Sequence, residues 1–221
     1  MKTSKKNRVI QLAFSIIGIW TFLFGVILFN QHFLMNFSLP TRMVLMLLLQ
    51  WAPAIIPIVI MFISKDKLSD LGFTKEKIPA QLLVGIGIAL IMSALFTILP
   101  ILLGFKEWVG STNYSKPWQF LYQFIYCILG VAFAEEVVFR GFIFRRLLVL
   151  KNSKSFAIAI SSALFGLFHL FGGNIVQVLI AALLGVFWCV CRERIKNCST
   201  LSLILAHGIY DALIVLWVAV L

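Results

Sequence analysis

The chain has 221 residues, of which 62% are hydrophobic and 12% are charged, and its formal net charge is +11. Soluble domains average roughly 45–50% apolar and about 25% charged residues, so this composition excludes a soluble globular protein and predicts a polytopic membrane protein. The basic residues are divided among short segments between apolar runs, as membrane orientation requires, and this pattern argues against nucleic-acid binding.

Apolar runs predict about seven transmembrane helices, because about 20 residues of α-helix cross a bilayer. In chain order they are residues 9–29, 42–64, 80–103, 118–150, 155–171, 175–190 and 200–221. Three of them fall in an N-terminal membrane region, residues 1–114, and four in a core region, residues 115–221. The predicted fold class is therefore all-α, a bundle of membrane helices.

Lysine and arginine are concentrated on one side of this predicted bundle, where 15 of the 19 fall. The basic segments are residues 1–8, 65–77, 145–154 and 192–196. The opposite side has only Arg42, Lys106 and Lys116. Because basic residues mark the cytoplasmic side, we predict a cytoplasmic N-terminus and an external C-terminus. We expect a multi-pass protein of the cell membrane, and the small, lysine-rich chain indicates a bacterial source.

The fourth predicted helix contains two adjacent carboxylates and a guanidinium in otherwise apolar sequence, Glu135, Glu136 and Arg140. Ionisable groups at membrane depth cost roughly 2.5–3.5 kcal/mol each, so they need a reason. Glu136 and Arg140 have the spacing and order of a favourable ion pair on one helical face. Glu135 points about 100° away without a local partner, and its desolvation is the condition of a general base near neutral pH. A structural ion cluster without chemistry is the alternative.

Three more polar side chains lie deep in the fifth and seventh predicted helices. His169 is near the end of the fifth, and His207 and Asp211 share one face of the seventh. With a rise of about 1.5 Å per residue, all three reach roughly the depth of Glu135. A carboxylate that activates water and histidines that stabilise an oxyanion suit amide hydrolysis. The same four groups could instead bind a metal ion such as zinc, or each histidine could simply make an interhelical hydrogen bond.

Three motifs on successive predicted helices resemble those of the CAAX-protease and bacteriocin-processing (Abi) family of intramembrane glutamate endopeptidases. They are Glu135-Glu136-x-x-x-Arg140, Phe165-x-x-x-His169 and His207-x-x-x-Asp211. The resemblance covers roughly residues 115–221, and the segment 67–73 (KLSDLGF) is similar to the loop that often precedes this core.

The resemblance implies a role for each motif residue. Glu135 would activate the attacking water, His169 would help to stabilise the oxyanion, and His207 would serve the oxyanion or position the water. Asp211 stands where the family commonly has Asn or Asp. The supporting residues would be Glu136 and Arg140.

The resemblance also implies an intramembrane endopeptidase that cleaves a peptide or membrane-associated protein, and we expect it to act from the cytoplasmic side. Family members process peptide or bacteriocin precursors or confer immunity to them, so peptide maturation or self-immunity is the expected role. No metal cofactor is expected, with zinc as the open alternative. The competing readings are a non-catalytic immunity or scaffold protein on the same fold and a proton-coupled transporter.

Overall fold

The computed structural model describes residues 5–171 and 173–221. Lys2 of the N-terminal basic segment and Gly172 of the turn after the fifth predicted helix lie outside the described residues. Within the described part, the secondary structure is helical and no β-strand occurs. The predicted all-α fold class is therefore confirmed.

The helices are numbered here in chain order, with directly continuous segments joined. They are α1 (Lys5–His32), α2 (Leu39–Leu49), α3 (Ile55–Ser64), α4 (Ile78–Leu102), α5 (Lys106–Val109), α6 (residues 117–151), α7 (Lys154–Phe168), α8 (Ile175–Arg194) and α9 (Thr200–Val220). Among the described residues, five helical stretches are long and apolar enough to cross a membrane: α1, α2 together with α3, α4, α8 and α9. Helix α7 is apolar but shorter, and α6 is the long helix that carries the two adjacent glutamates.

Proline explains the break between α2 and α3. A single 3₁₀ turn, Ala52–Ala54, joins the two helices and contains Pro53, which has no N–H to donate and clashes with the preceding helical turn. The side chain of Trp51 next to it donates from Nε1 to the Leu129 carbonyl oxygen of α6 at 3.0 Å. A backbone acceptor of the neighbouring helix is thereby satisfied by a side chain at the break.

Helix α6 is not a regular α-helix, a feature that the apolar run of residues 118–150 does not predict. Two π-helical segments, Tyr126–Ala132 and Glu136–Ile143, flank the short α-helical turn Phe133–Glu135. In a π-helix each N–H bonds to the carbonyl five residues earlier, and such segments occur frequently at functional sites. The widened turns of α6 therefore coincide with its charged stretch.

Close backbone contacts hold α9 against α6 and α7 against α8. A Cβ atom added at Gly208 of α9 would lie 2.6 Å from the Ile128 Cα of α6, and one added at Gly166 of α7 would lie 2.6 Å from the Val178 carbonyl oxygen of α8. Real side chains cannot occupy these spaces. Small residues thus let the helices approach closely, as is common in membrane bundles.

The segment 65–77 covers the basic end of α6. Its Leu71 packs against Gly141, where an added Cβ would be 3.3 Å from the leucine side chain. The backbone N–H of Thr200, at the start of α9, donates to the Gly72 carbonyl oxygen at 3.2 Å. Arg146 of α6 lies 2.6 Å from the Asp66 carboxylate. This segment is therefore tied to both α6 and α9.

The charge distribution gives a testable orientation. A reporter protein that is active only in the cytoplasm, fused after Leu221, is expected to be inactive, because the positive-inside rule places this end outside. The same reporter fused into the basic segment 65–77 should be active. Strong activity of both fusions would keep the basic side in the cytoplasm but would mean that the chain crosses the membrane an even number of times. Activity after Leu221 alone would mean that the predicted orientation is wrong.

Candidate active site

The charged stretch of α6 is buried within the bundle. Glu135 is 8% exposed, Glu136 is fully buried and Arg140 is 1% exposed. Their surroundings are apolar side chains of α6 and α7, among them Val137, Phe139 and Phe165. Three ionisable groups are therefore held away from bulk water, as the sequence predicted from their position in an apolar run.

The predicted contact between Glu136 and Arg140 is present. Nη1 of Arg140 lies 3.2 Å from Oε1 of Glu136, an ion-pair distance, although neither terminal nitrogen of Arg140 makes a hydrogen bond within the described residues. The guanidinium also lies over the Phe165 ring, 3.9 Å from its centre. Arg140 is thus held between a carboxylate on its own helix and an aromatic face on α7, a cation–π arrangement.

His207 of α9 connects the carboxylates. Its Nδ1 lies 2.8 Å from Oε1 of Glu136, and its Nε2 lies 3.3 Å from Oδ2 of Asp211 and 3.8 Å from Oε2 of Glu135. The predicted pairing of His207 with Asp211 is present, whereas its contact with Glu136 was not predicted. A ring nitrogen must carry a proton to donate to a carboxylate, so this histidine is placed to hold a proton near Glu135.

Glu135 is bound less tightly than its neighbour. Its Oε2 atom is buried without a hydrogen-bond partner among the described residues, as is Oε2 of Glu136, but Glu135 lacks the close contacts that Oε1 of Glu136 makes with Arg140 and His207. The nearest histidine nitrogen, at 3.8 Å, is beyond hydrogen-bond range. His169, Asp211 and Arg140 are its further electrostatic neighbours. A buried oxygen without a partner is costly, and a water molecule or a substrate group would relieve that cost.

His169 ends α7, where it is the C-terminal capping residue. Its Nδ1 atom lies 2.9 Å from the Phe165 carbonyl oxygen. A carbonyl only accepts, so Nδ1 carries a proton in this contact and Nε2 of a neutral ring is an acceptor. Donation from Nε2 to an oxyanion therefore requires the doubly protonated ring.

Two residues of α8 belong to the site although the motifs did not single them out. Trp188 is buried and stacks on His207, with ring centres 5.7 Å apart and planes 22° apart. Arg192 donates from Nη1 to the Arg140 carbonyl oxygen. Their four-residue spacing places both on one face of α8. The sequence carried little signal for either, since aromatic residues are common in apolar helices and Arg192 counted as part of a basic segment.

The described residues contain no group of three or more histidine, cysteine, aspartate or glutamate side chains placed to hold a metal ion. The four cysteines are free thiols and are buried in the bundle. The carboxylates around His207 are instead engaged with its ring nitrogens and with Arg140. Metal independence remains a prediction, to be tested on purified protein.

The fold and the site together define a class: an all-α membrane protein whose site combines two buried glutamates, a buried histidine and the half-buried His169 and Asp211, contributed by three helices. Residues 117–213 match the family model described as type II CAAX prenyl endopeptidase Rce1-like, and this range contains all three motifs. The family resemblance inferred from the motifs is therefore confirmed over this range, which is less than half of the chain, and the match supports an intramembrane protease. Comparisons with curated proteins and with solved structures gave no significant match.

Proposed function

We propose that the protein is an intramembrane endopeptidase in which Glu135 activates a water molecule for attack on a peptide bond. The observation that carries this proposal is the difference between the two adjacent glutamates. Oε1 of Glu136 is engaged by both Arg140 and His207, whereas the closest histidine nitrogen to the Glu135 carboxylate is 3.8 Å away. Oε2 of each glutamate is buried without a hydrogen-bond partner in the described chain. Because Glu135 has the weaker contacts, we assign to it the binding and deprotonation of water, the task of a general base.

The reaction follows from these positions. Glu135 takes a proton from water as the water oxygen bonds to the carbonyl carbon of the substrate. The negative charge then develops on the carbonyl oxygen, and a protonated His207 or His169 donates a hydrogen bond to it. When the carbon–nitrogen bond breaks, Glu135 returns its proton to the leaving amine, which regenerates the carboxylate and releases the two products.

Glu136, Arg140 and Asp211 have supporting roles in this proposal. Glu136 and Asp211 face the two ring nitrogens of His207 and fix the orientation of the imidazole. Arg140 compensates the charge of Glu136, since an unpaired carboxylate at this depth is strongly unfavourable. The three residues keep the histidine and Glu135 at the spacing that the reaction needs.

Chelation tests the proposed absence of a metal. Since a glutamate-activated water requires no metal ion, a tight zinc chelator should leave the cleavage rate unchanged and purified active protein should contain far less than one metal per chain. The measurements are elemental analysis of active protein and a chelator titration on the same sample. Stoichiometric zinc together with inhibition would recast His169, His207 and Asp211 as ligands.

The proposed biological role is maturation of a peptide or bacteriocin precursor, or immunity to such a peptide, in a bacterial cell membrane. The experiment is comparative peptidomics of a deletion strain complemented with either the natural protein or Glu135→Gln. A processed peptide should appear only with the natural protein. If immunity or another phenotype is restored equally by Glu135→Gln, the protein acts without catalysis, as an immunity or scaffold protein of the same fold.

A further inference from the structure

Side chains from two other parts of the chain bind the backbone of α6 within its π segments. Nε1 of Trp51, at the break between α2 and α3, donates to the Leu129 carbonyl oxygen at 3.0 Å. Nη1 of Arg192, in the last turn of α8, donates to the Arg140 carbonyl oxygen. One of these two acceptors lies in each π segment. In both segments, a carbonyl oxygen is thus bonded by a side chain from outside α6.

The two contacts lie on either side of Glu135, six residues before it and five residues after it. Glu135 itself ends the short α-helical turn between the π segments. A π turn holds about one residue more than an α-helical turn. If either segment returned to the α-helical register with its residues kept, the part of α6 beyond it would turn by about 100°. The register of both segments therefore determines where the Glu135 carboxylate lies relative to His207, whose Nε2 is now 3.8 Å from it.

Arg192 is ordered by further contacts with α6. Its side chain is 11% exposed, and its guanidinium lies over the Phe144 ring, 4.3 Å from the ring centre. Glu136 is among its electrostatic neighbours. An arginine that only set membrane orientation would extend its charged group into water. Arg192 instead makes a charge-assisted hydrogen bond to the backbone of Arg140, the residue that pairs with Glu136.

Trp51 contacts α6 in two ways. Besides its hydrogen bond to Leu129, its ring stacks on Phe133, with ring centres 4.6 Å apart and planes 29° apart. Phe133 precedes Glu135 by two residues. The stacking fixes the plane of the indole and therefore the direction of its N–H group. Trp51 thus holds both the first π segment and the α-helical turn that carries Glu135.

We propose that Arg192 and Trp51 are positioning residues of the site, which hold the two π segments in register and so fix the Glu135 carboxylate relative to His207. Both act through the backbone of α6 rather than on the substrate. Their loss should slow the chemical step more than it weakens substrate binding, because a displaced base is a poorer catalyst. The proposal rests on the proposed protease function and adds two residues outside the three motifs.

Two substitutions remove the donors selectively. Arg192→Met removes the guanidinium and keeps a long apolar side chain, and Trp51→Phe removes the N–H group and keeps an aromatic ring for stacking. Arg194→Met and Trp108→Phe are the matched controls, because they make the same changes at exposed positions. Trp51→Phe is the milder change, so it keeps the test decisive if Arg192→Met folds poorly.

Two measurements are made on folded, detergent-purified protein. The first gives kcat and KM for a cleaved peptide. The second is NMR of protein with isotope-labelled histidine, in which the three histidines of the chain are assigned by replacing each in turn. The ring nitrogens of His207 report its contacts with Glu136 and Asp211, and this readout does not depend on activity.

Both test variants are expected to lower kcat at least ~10-fold and to change KM less than ~3-fold. They should also shift the ring nitrogen signals of His207 and leave those of His32 in place. The controls should match the natural protein in both measurements.

Unchanged His207 signals in either test variant overturn the proposal for that residue, as does an unchanged kcat. An equal loss of kcat in the matched control does the same. If the natural protein cleaves no peptide, the proposed function fails, and the His207 signals still decide whether Arg192 and Trp51 position the site.

Discussion

Replacing Glu135 by glutamine is expected to lower the cleavage rate at least ~100-fold while leaving the amount of folded protein unchanged. Glutamine has nearly the same size but cannot take a proton from water. Oε2 of Glu135 has no hydrogen-bond partner among the described residues, so the substitution removes no such bond at that atom. The measurements are the rate with a cleaved peptide and the yield and thermal unfolding of detergent-purified protein.

Glu136→Gln is the matched control, because it makes the same chemical change one residue away. It weakens the contact with Arg140 at 3.2 Å and the hydrogen bond with His207 at 2.8 Å. We expect this variant to give less folded protein and a lower unfolding temperature. Full activity of Glu135→Gln would refute its role as the base, and poor folding of that variant would show that its carboxylate has a structural partner.

Arg140→Ala is expected to destabilise the folded protein by about 3–5 kcal/mol, the typical cost of leaving one member of a buried ion pair without its partner. Glu136 would remain fully buried next to a cavity, and the cation–π contact with Phe165 would be lost. The measurement is thermal unfolding of purified protein in one detergent, together with the fraction that elutes as a monodisperse species.

Arg145→Ala is the control for the loss of an arginine from the same helix. The Arg145 side chain is 49% exposed and lies 3.9 Å from Asp70, so its removal should cost at most about 1 kcal/mol. If Arg140→Ala unfolds at the same temperature as Arg145→Ala, the ion pair with Glu136 does not stabilise the fold.

Contacts within one helix could be predicted from the sequence. The spacing of four residues placed Glu136 beside Arg140 and His207 beside Asp211, and both contacts are present. Helical periodicity alone determines such pairs, since residues three or four apart are neighbours on a helix surface. The all-α fold class followed equally directly from the length of the apolar runs.

Contacts between helices could not be predicted in this way. The hydrogen bond from His207 to Glu136 and the stacking of Trp188 on His207 depend on how α6, α8 and α9 are rotated about their axes. That rotation depends on close approaches such as the one at Gly208, which one sequence does not reveal. The π segments of α6 were missed because their residues have ordinary helical composition and only the hydrogen-bond register differs.

The π segment Glu136–Ile143 should allow this part of helix α6 to lose one residue. Deletion of a single codon between Arg140 and Arg145 would let the backbone return to a regular α-helix, so the helix would stay intact. Residues beyond the deletion would keep nearly the same orientation, because a π-helical turn holds about one residue more than an α-helical turn. Arg146 would therefore stay beside Asp66, which it contacts at 2.6 Å. In a regular α-helix, the same deletion would turn everything beyond it by about 100°.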